Sequence, residues 1–219
     1  RWLTGLLDSL GTPADVVAWS LTGEFMARAI LEQGAKVRSL SLISPTGMGV
    51  RAPPSAPNGS RIDRFLSSRW VGRPLFWLLT SKLSIRWFLG KAFVGATPEH
   101  MLRYALETAN QPGAHYVPLK FLTFSLFTEQ AITRLYSRLK LPCLVLYDQD
   151  PNIGFERMSE LTDVHSNWVA KQLVPSLGLP HWELPAETIE ALEDFWAPPE
   201  RGALGSGDIA EYGARRESA

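Results

Sequence analysis

Residues 15–25 read Asp-Val-Val-Ala-Trp-Ser-Leu-Thr-Gly-Glu-Phe, and this stretch decides the fold. Val16, Val17, Ala18 and Trp19 make a short apolar, β-branched run, the pattern of a strand buried on both faces. Just after Ser20 the pattern turns helical: Phe25, Met26, Ala29, Ile30 and Leu31 fall at i, i+1, i+4, i+5 and i+6. A strand therefore turns sharply into a helix with a serine at the apex. Such a turn lifts the hydroxyl clear of the backbone and aims the first helical N–H groups at whatever the hydroxyl attacks. The plainer reading of Ser20 is an ordinary helix N-cap. Which reading applies depends on the rest of the chain.

The chain of 219 residues is long enough for one domain, or one domain with an insertion. With 45% apolar and 20% charged residues it has the composition of a globular protein with a sizeable core. Lys plus Arg equals Asp plus Glu at 22 each, so no global field points to nucleic acid or acidic lipid. The single cysteine, Cys143, excludes an internal disulfide and a cysteine-based zinc site, and its apolar surroundings read as core. No histidine pair has metal-ligand spacing, and no metal or organic cofactor is expected. Neither a signal peptide nor a run of about 20 apolar residues is visible, so a cytoplasmic protein without an integral membrane segment is expected. The chain does not begin with Met, and its native start is expected to lie upstream.

Periodicity divides the chain into a core (1–48), an insertion (49–140), a second core segment (141–196) and a tail (197–219) expected to be disordered. In the first core segment a helix spans about residues 1–10, a strand 15–19, the post-serine helix continues to about 33, and a strand runs 38–44. A strand, helix, strand unit of this length implies parallel pairing. The insertion opens with a loop rich in Pro, Ser and Gly, then holds short amphipathic helices dense in Trp, Phe and Tyr. Those aromatics read first as packing between small helices and second as the lining of an apolar pocket. The interleaved Arg64, Arg69, Arg73 and Arg86 read as solvated side chains. The sheet pattern returns with a strand at 143–147, a helix at about 155–163, a strand at 169–174 and a final helix at about 185–196.

A serine hydroxyl is a poor nucleophile unless a base takes its proton as it attacks. Imidazole suits that task near neutral pH, and a buried carboxylate fixes its tautomer. The chain offers both: Asp148 and Asp150 follow the 143–147 strand, and His181 lies in the loop after the next one. The plainer readings are turn aspartates and a surface histidine. His100, His115 and His165 have no partners in the pattern, and Glu24 and Glu183 read as first-turn helix charges.

Residues 18–23, Ala-Trp-Ser-Leu-Thr-Gly, resemble the G-x-S-x-G nucleophile elbow of the α/β-hydrolases, with Ala18 and Thr22 in place of the two glycines. Thr22 is the larger departure, because its branched side chain is expected to crowd the junction of strand and helix. The order Ser20, Asp150, His181 is also that family's order, and a helical cap is commonly carried between the same strands. The resemblance covers residues 1–196 and matches only the later half of the family's fold, which implies a parallel sheet with helices on both faces, a cap, and absent N-terminal strands. It implies Ser20 as nucleophile, His181 as base and Asp150 as acid, with Asp148 as the alternative acid. The N–H of Leu21 is the oxyanion donor, and Trp19 and Thr22 flank the pocket. The partner implied is a small apolar, ester-like substrate; a second oxyanion donor, from an early loop of the family, is missing from the sequence. The expectation is a serine hydrolase, here in truncated form. Its rivals are a C–C hydrolase, a haloperoxidase-like enzyme or an acyltransferase of the same fold, and a non-catalytic protein that binds an apolar ligand or partner under its cap.

Overall fold

Four strands lie side by side in chain order, and every neighbouring pair is parallel: β1 (Ala14–Trp19), β2 (Val37–Ile43), β3 (Cys143–Gln149) and β4 (Trp168–Leu177). The structure is a computed structural model that describes residues 1–50, 61–66, 68 and 70–197. The Pro- and Ser-rich loop at 51–60 and nearly all of the expected tail therefore lie outside the described residues.

The strand period of two sorts the central side chains to opposite faces. Leu40, Leu42, Cys143 and Val145 join a core with Leu7 of α1 (Trp2–Ser9) and Met26, Ala27 and Ala29 of α2 (Thr22–Gln33). Ile43, Leu144 and Leu146 face the other way, onto Leu173 and onto Ala191 of α11 (Pro185–Trp196). Helices thus cover both faces, as continuous apolar strands require. Each fully buried leucine here is worth roughly 1.5–3 kcal/mol.

The insertion between β2 and β3 carries α3 (Arg61–Leu66), α4 (Gly72–Leu79), α5 (Lys82–Gly90), α6 (Glu99–Ala109) and α7 (Tyr116–Leu122). It ends earlier than the sequence pattern indicates. Ala131 and Ile132 of α8 (Ala131–Arg134), with Leu135, Tyr136 and Leu139, already belong to the main core, so the sheet domain resumes about ten residues before 141. Nor do the insertion's aromatics form a simple core between its helices: Phe65, Trp70, Trp77, Trp87, Phe88 and Tyr104 are exposed.

Other expectations change in physically readable ways. Among the described strands β1 pairs only with β2, so Val17 and Trp19 are exposed, as the absence of the sheet's earlier strands implies, although the apolar run taken alone reads as buried on both faces. β3 runs two residues past Tyr147 and takes in Asp148, which sits at the register shift of the β3–β4 ladder. The helix expected at 155–163 shrinks to α9 (Ser159–Thr162). β4 is longer than expected and accommodates Pro175, which an edge strand tolerates because its outer side needs no N–H donor.

The crowding expected at Thr22 falls one residue later. Thr22 is exposed, whereas a Cβ on Gly23 would lie 2.9 Å from Leu42 Cδ2 and 3.4 Å from the Tyr136 hydroxyl. Gly23 is therefore the glycine that lets α2 approach the sheet. Gly23→Val should destabilise the fold by about 1–3 kcal/mol through overpacking, while Thr22→Val should change stability by less than about 0.5 kcal/mol. Urea unfolding of the two variants checks the contrast.

Candidate active site

The carboxyl ends of parallel strands are where open α/β sheets bind ligands, because side chains of successive strands converge there. Ser20 sits one residue past β1 and is half-buried. Its φ is +53°, the left-handed region that costs a non-glycine residue roughly 1–2 kcal/mol. The Ser20 N–H donates to Ile43 O at 2.8 Å, and the Ser20 carbonyl accepts from Gly23 N at 3.1 Å. The apex is thus pinned to β2 on one side and to the first turn of α2 on the other. Leu21 is buried at the N-cap of α2, where the helical ladder has no use for its N–H.

Ser44 repeats this geometry at the end of β2, with φ +42° and its N–H donating to Leu146 O at 2.9 Å. Ser44 is fully buried and its hydroxyl has no hydrogen-bond partner among the described residues. Of the two left-handed serines at strand ends, only Ser20 is open to a reactant. Cys143 is no rival nucleophile either, since burial pushes its thiol up to about 12.

The two candidate carboxylates have different occupations. Asp148 is buried at the irregularity between β3 and β4, with Oδ1 accepting from Gln172 Nε2 at 2.9 Å and Oδ2 from Ser176 N at 2.8 Å. Both of its oxygens are engaged by β4. Asp150 caps the turn that follows β3, where Oδ1 accepts from Asn152 N at 2.7 Å and Ile153 N at 3.1 Å. This is the turn role that the sequence also allows for it. Its Oδ2 makes no hydrogen bond among the described residues and lies against Gly178, at a spot where any Cβ would overlap it. Burial raises the Asp150 carboxyl above the usual aspartate range, and the two backbone donors partly offset that.

His181 lies on the short α10 (Pro180–Glu183), three residues beyond Gly178. Trp19 reaches across from β1: its Nε1 donates to Gly178 O at 3.2 Å, and its ring centroid is 5.8 Å from that of His181. Trp19 thus forms a wall beside the imidazole, while Thr22 stays exposed on the first turn of α2. The strand ends therefore gather Trp19, Asp150, Gly178 and His181 into one cluster, and Ser20 follows Trp19 in the chain. No hydrogen bond joins Ser20, Asp150 and His181 among the described residues, and His181 Nδ1 is buried without a partner. Burial also lowers the imidazole's proton affinity, which keeps His181 neutral at pH 7, the form a general base requires.

Glu24 and Glu183 lie in first helical turns, as the sequence indicates, and each also holds a backbone amide far away in the chain. Glu183 Oε2 accepts from Leu177 N at 3.0 Å and Oε1 from Val94 N at 2.6 Å, so one side chain ties the histidine segment to the insertion. His100 of α6 adds a ring contact to Trp182 at 5.5 Å, a partner its sequence setting does not reveal. Glu24 is fully buried in α2 and accepts from the Thr46 hydroxyl and from Thr128 N at 2.6 Å. Arg28 also bonds Thr128, which fixes the returning end of the insertion to the elbow helix. A cavity of about 720 Å³ lies in the insertion between α4 and the turn before α7, lined by Arg73, Phe76, Trp77 and His115, and is not beside Ser20.

The fold recurs in solved structures. A 2-hydroxy-6-oxo-6-phenylhexa-2,4-dienoate hydrolase from Rhodococcus matches 87% of the chain with a TM-score of 0.62 at 16% identity. The fold is that of the α/β-hydrolases. An esterase from Exiguobacterium antarcticum matches 87% at TM-score 0.62 and 13% identity, as does a meta-cleavage product hydrolase from Pseudomonas fluorescens. The chain spans about two thirds of these α/β-hydrolases, covering 66%, 69% and 67% of their respective lengths. No family model matches the sequence, and no curated protein is significantly similar to it.

The buried imidazole has a measurable consequence. Its native pKa lies below the unfolded value of about 6.5, so the unfolded chain takes up the proton first. The stabilisation from neutral His181 is therefore present above about pH 6.5 and lost as the pH falls below it. An NMR titration should place His181 below about 6.5, and His181→Asn should flatten the fall in stability seen in acid unfolding curves.

Proposed function

We propose that the chain carries the nucleophile, base and acid of a serine hydrolase. Ser20 Oγ attacks a carbonyl carbon while His181 accepts its proton, and the Leu21 N–H faces the oxyanion that forms. The protonated His181 then gives its proton to the leaving group, and the acyl group remains on Ser20. Water, deprotonated by His181, attacks the acyl-enzyme and releases the acid and free Ser20. Asp150 is the group that orients His181, because Asp148 already has both oxygens engaged whereas Asp150 keeps Oδ2 free beside Gly178. A modest turn of the imidazole on substrate binding is the step that would complete the pairing, since catalytic hydrogen bonds are often loose in the free enzyme.

The observation that carries this reading is the left-handed backbone at Ser20, held at the strand–helix junction and open to a reactant. The chain's aromatic insertion favours an apolar ester-like substrate, with Trp19 as one wall of its site. The other carbonyl chemistries that this fold hosts share the same three side chains and differ in pocket contacts. One observation favours a non-catalytic, ligand-holding role instead: the three side chains are not hydrogen-bonded to one another. Labelling by a fluorophosphonate probe separates the two. The full-length protein should be labelled, and Ser20→Ala should abolish the label; unlabelled full-length protein favours the binder, and a label that survives the substitution removes Ser20 from the mechanism.

A further inference from the structure

The insertion concentrates charge that the whole-chain balance conceals. Residues 61–98 hold seven of the chain's 22 Lys and Arg but only one of its 22 Asp and Glu, Asp63. The same segment exposes its bulkiest apolar side chains, with Trp70 92%, Trp77 78% and Leu83 83% accessible. The exposed positions of α4 are Arg73, Pro74, Trp77 and Leu78, a helical face at i, i+1, i+4 and i+5. α5 repeats the pattern with Lys82, Leu83, Arg86 and Trp87. Both consecutive helices therefore turn outward a face that sets cations beside large hydrophobes, with one cation on α4 (Arg73) and two on α5 (Lys82 and Arg86). Lys91 Nζ sits 3.7 Å above the Trp87 ring, and Arg86 reaches Glu99 at 3.2 Å.

We propose that this face of α4 and α5 docks on the surface of an anionic phospholipid bilayer. Trp and aliphatic side chains lodge at the headgroup and acyl boundary, while Lys and Arg snorkel toward lipid phosphates. The cation excess supplies the complementary charge. A second copy of the chain fits poorly, because an isologous contact would bring the same cations face to face. Nucleic acid accounts for less of the face: Trp77 and Trp87 offer rings to bases, but Leu78 and Leu83 would be left against a charged backbone with nothing apolar to cover them. No described helix is long and apolar enough to cross a membrane, so the contact is one of lying on the surface.

The test is sedimentation of the 219-residue chain with phosphatidylcholine vesicles, with and without phosphatidylserine. The chain should pellet with the phosphatidylserine vesicles, with a blue shift of tryptophan emission, and raised salt should release it. Arg73→Gln with Lys82→Gln should weaken partitioning about thirtyfold, roughly fivefold per cation. Trp77→Ser with Trp87→Ser should abolish the blue shift; all four side chains are exposed, so circular dichroism should be unchanged. Equal partitioning to both vesicle types, no partitioning, or self-association in solution that the tryptophan variants remove would each overturn the proposal.

Discussion

The closeness of α2 to β2 governs the geometry at the end of the sheet. Gly23 lets the first helical turn press on Leu42, and the amide of Ser20 reaches the last carbonyl of β2. Between those two anchors the backbone at Ser20 has no relaxed alternative. A non-glycine residue holds a left-handed conformation only where its surroundings over-determine it. Here the burial of Leu42 and the ladder of β1 with β2 provide that determination. Relaxing the helix–strand contact would let Ser20 return to ordinary backbone and withdraw its hydroxyl.

The elements that position the site could be read from local pattern. Strand, serine and helix follow one another within residues 15–25, and Gly34, where the sequence predicts the stop of α2, forms its left-handed C-cap. Periodicity reports such features because it depends only on neighbours along the chain. What it misses depends on tertiary contacts. Glu24 and Glu183 occupy first-turn positions where a solvated carboxylate is the ordinary expectation, yet each is engaged by backbone amides far away in sequence. The aromatics of α4 and α5 show the reverse error. Helical spacing shows that an apolar face exists, but not whether another element covers it.

Near-duplicates in the sequence are separated by their surroundings rather than by residue type. Ser20 and Ser44 share backbone conformation and strand-end position, and differ in access. Asp148 and Asp150 stand two residues apart, and the end of β3 separates them: the first lies inside the strand with its carboxylate on β4, while the second lies past the strand end and caps the turn. The sequence order of serine, aspartate and histidine narrows the choice of chemistry, but free lone pairs and accessible hydroxyls distinguish the members of each pair.

The bridge made by Glu183 means that the insertion and the histidine segment do not vary independently. One carboxylate spans two amides, and lifting either peptide away would strand an acceptor that the other still holds in place. Transplanting a foreign insertion onto this scaffold would therefore require a donor at the position of the Val94 amide as well as a fitting surface. Changes in the insertion near Val94 thus remain mechanically coupled to the segment that carries His181.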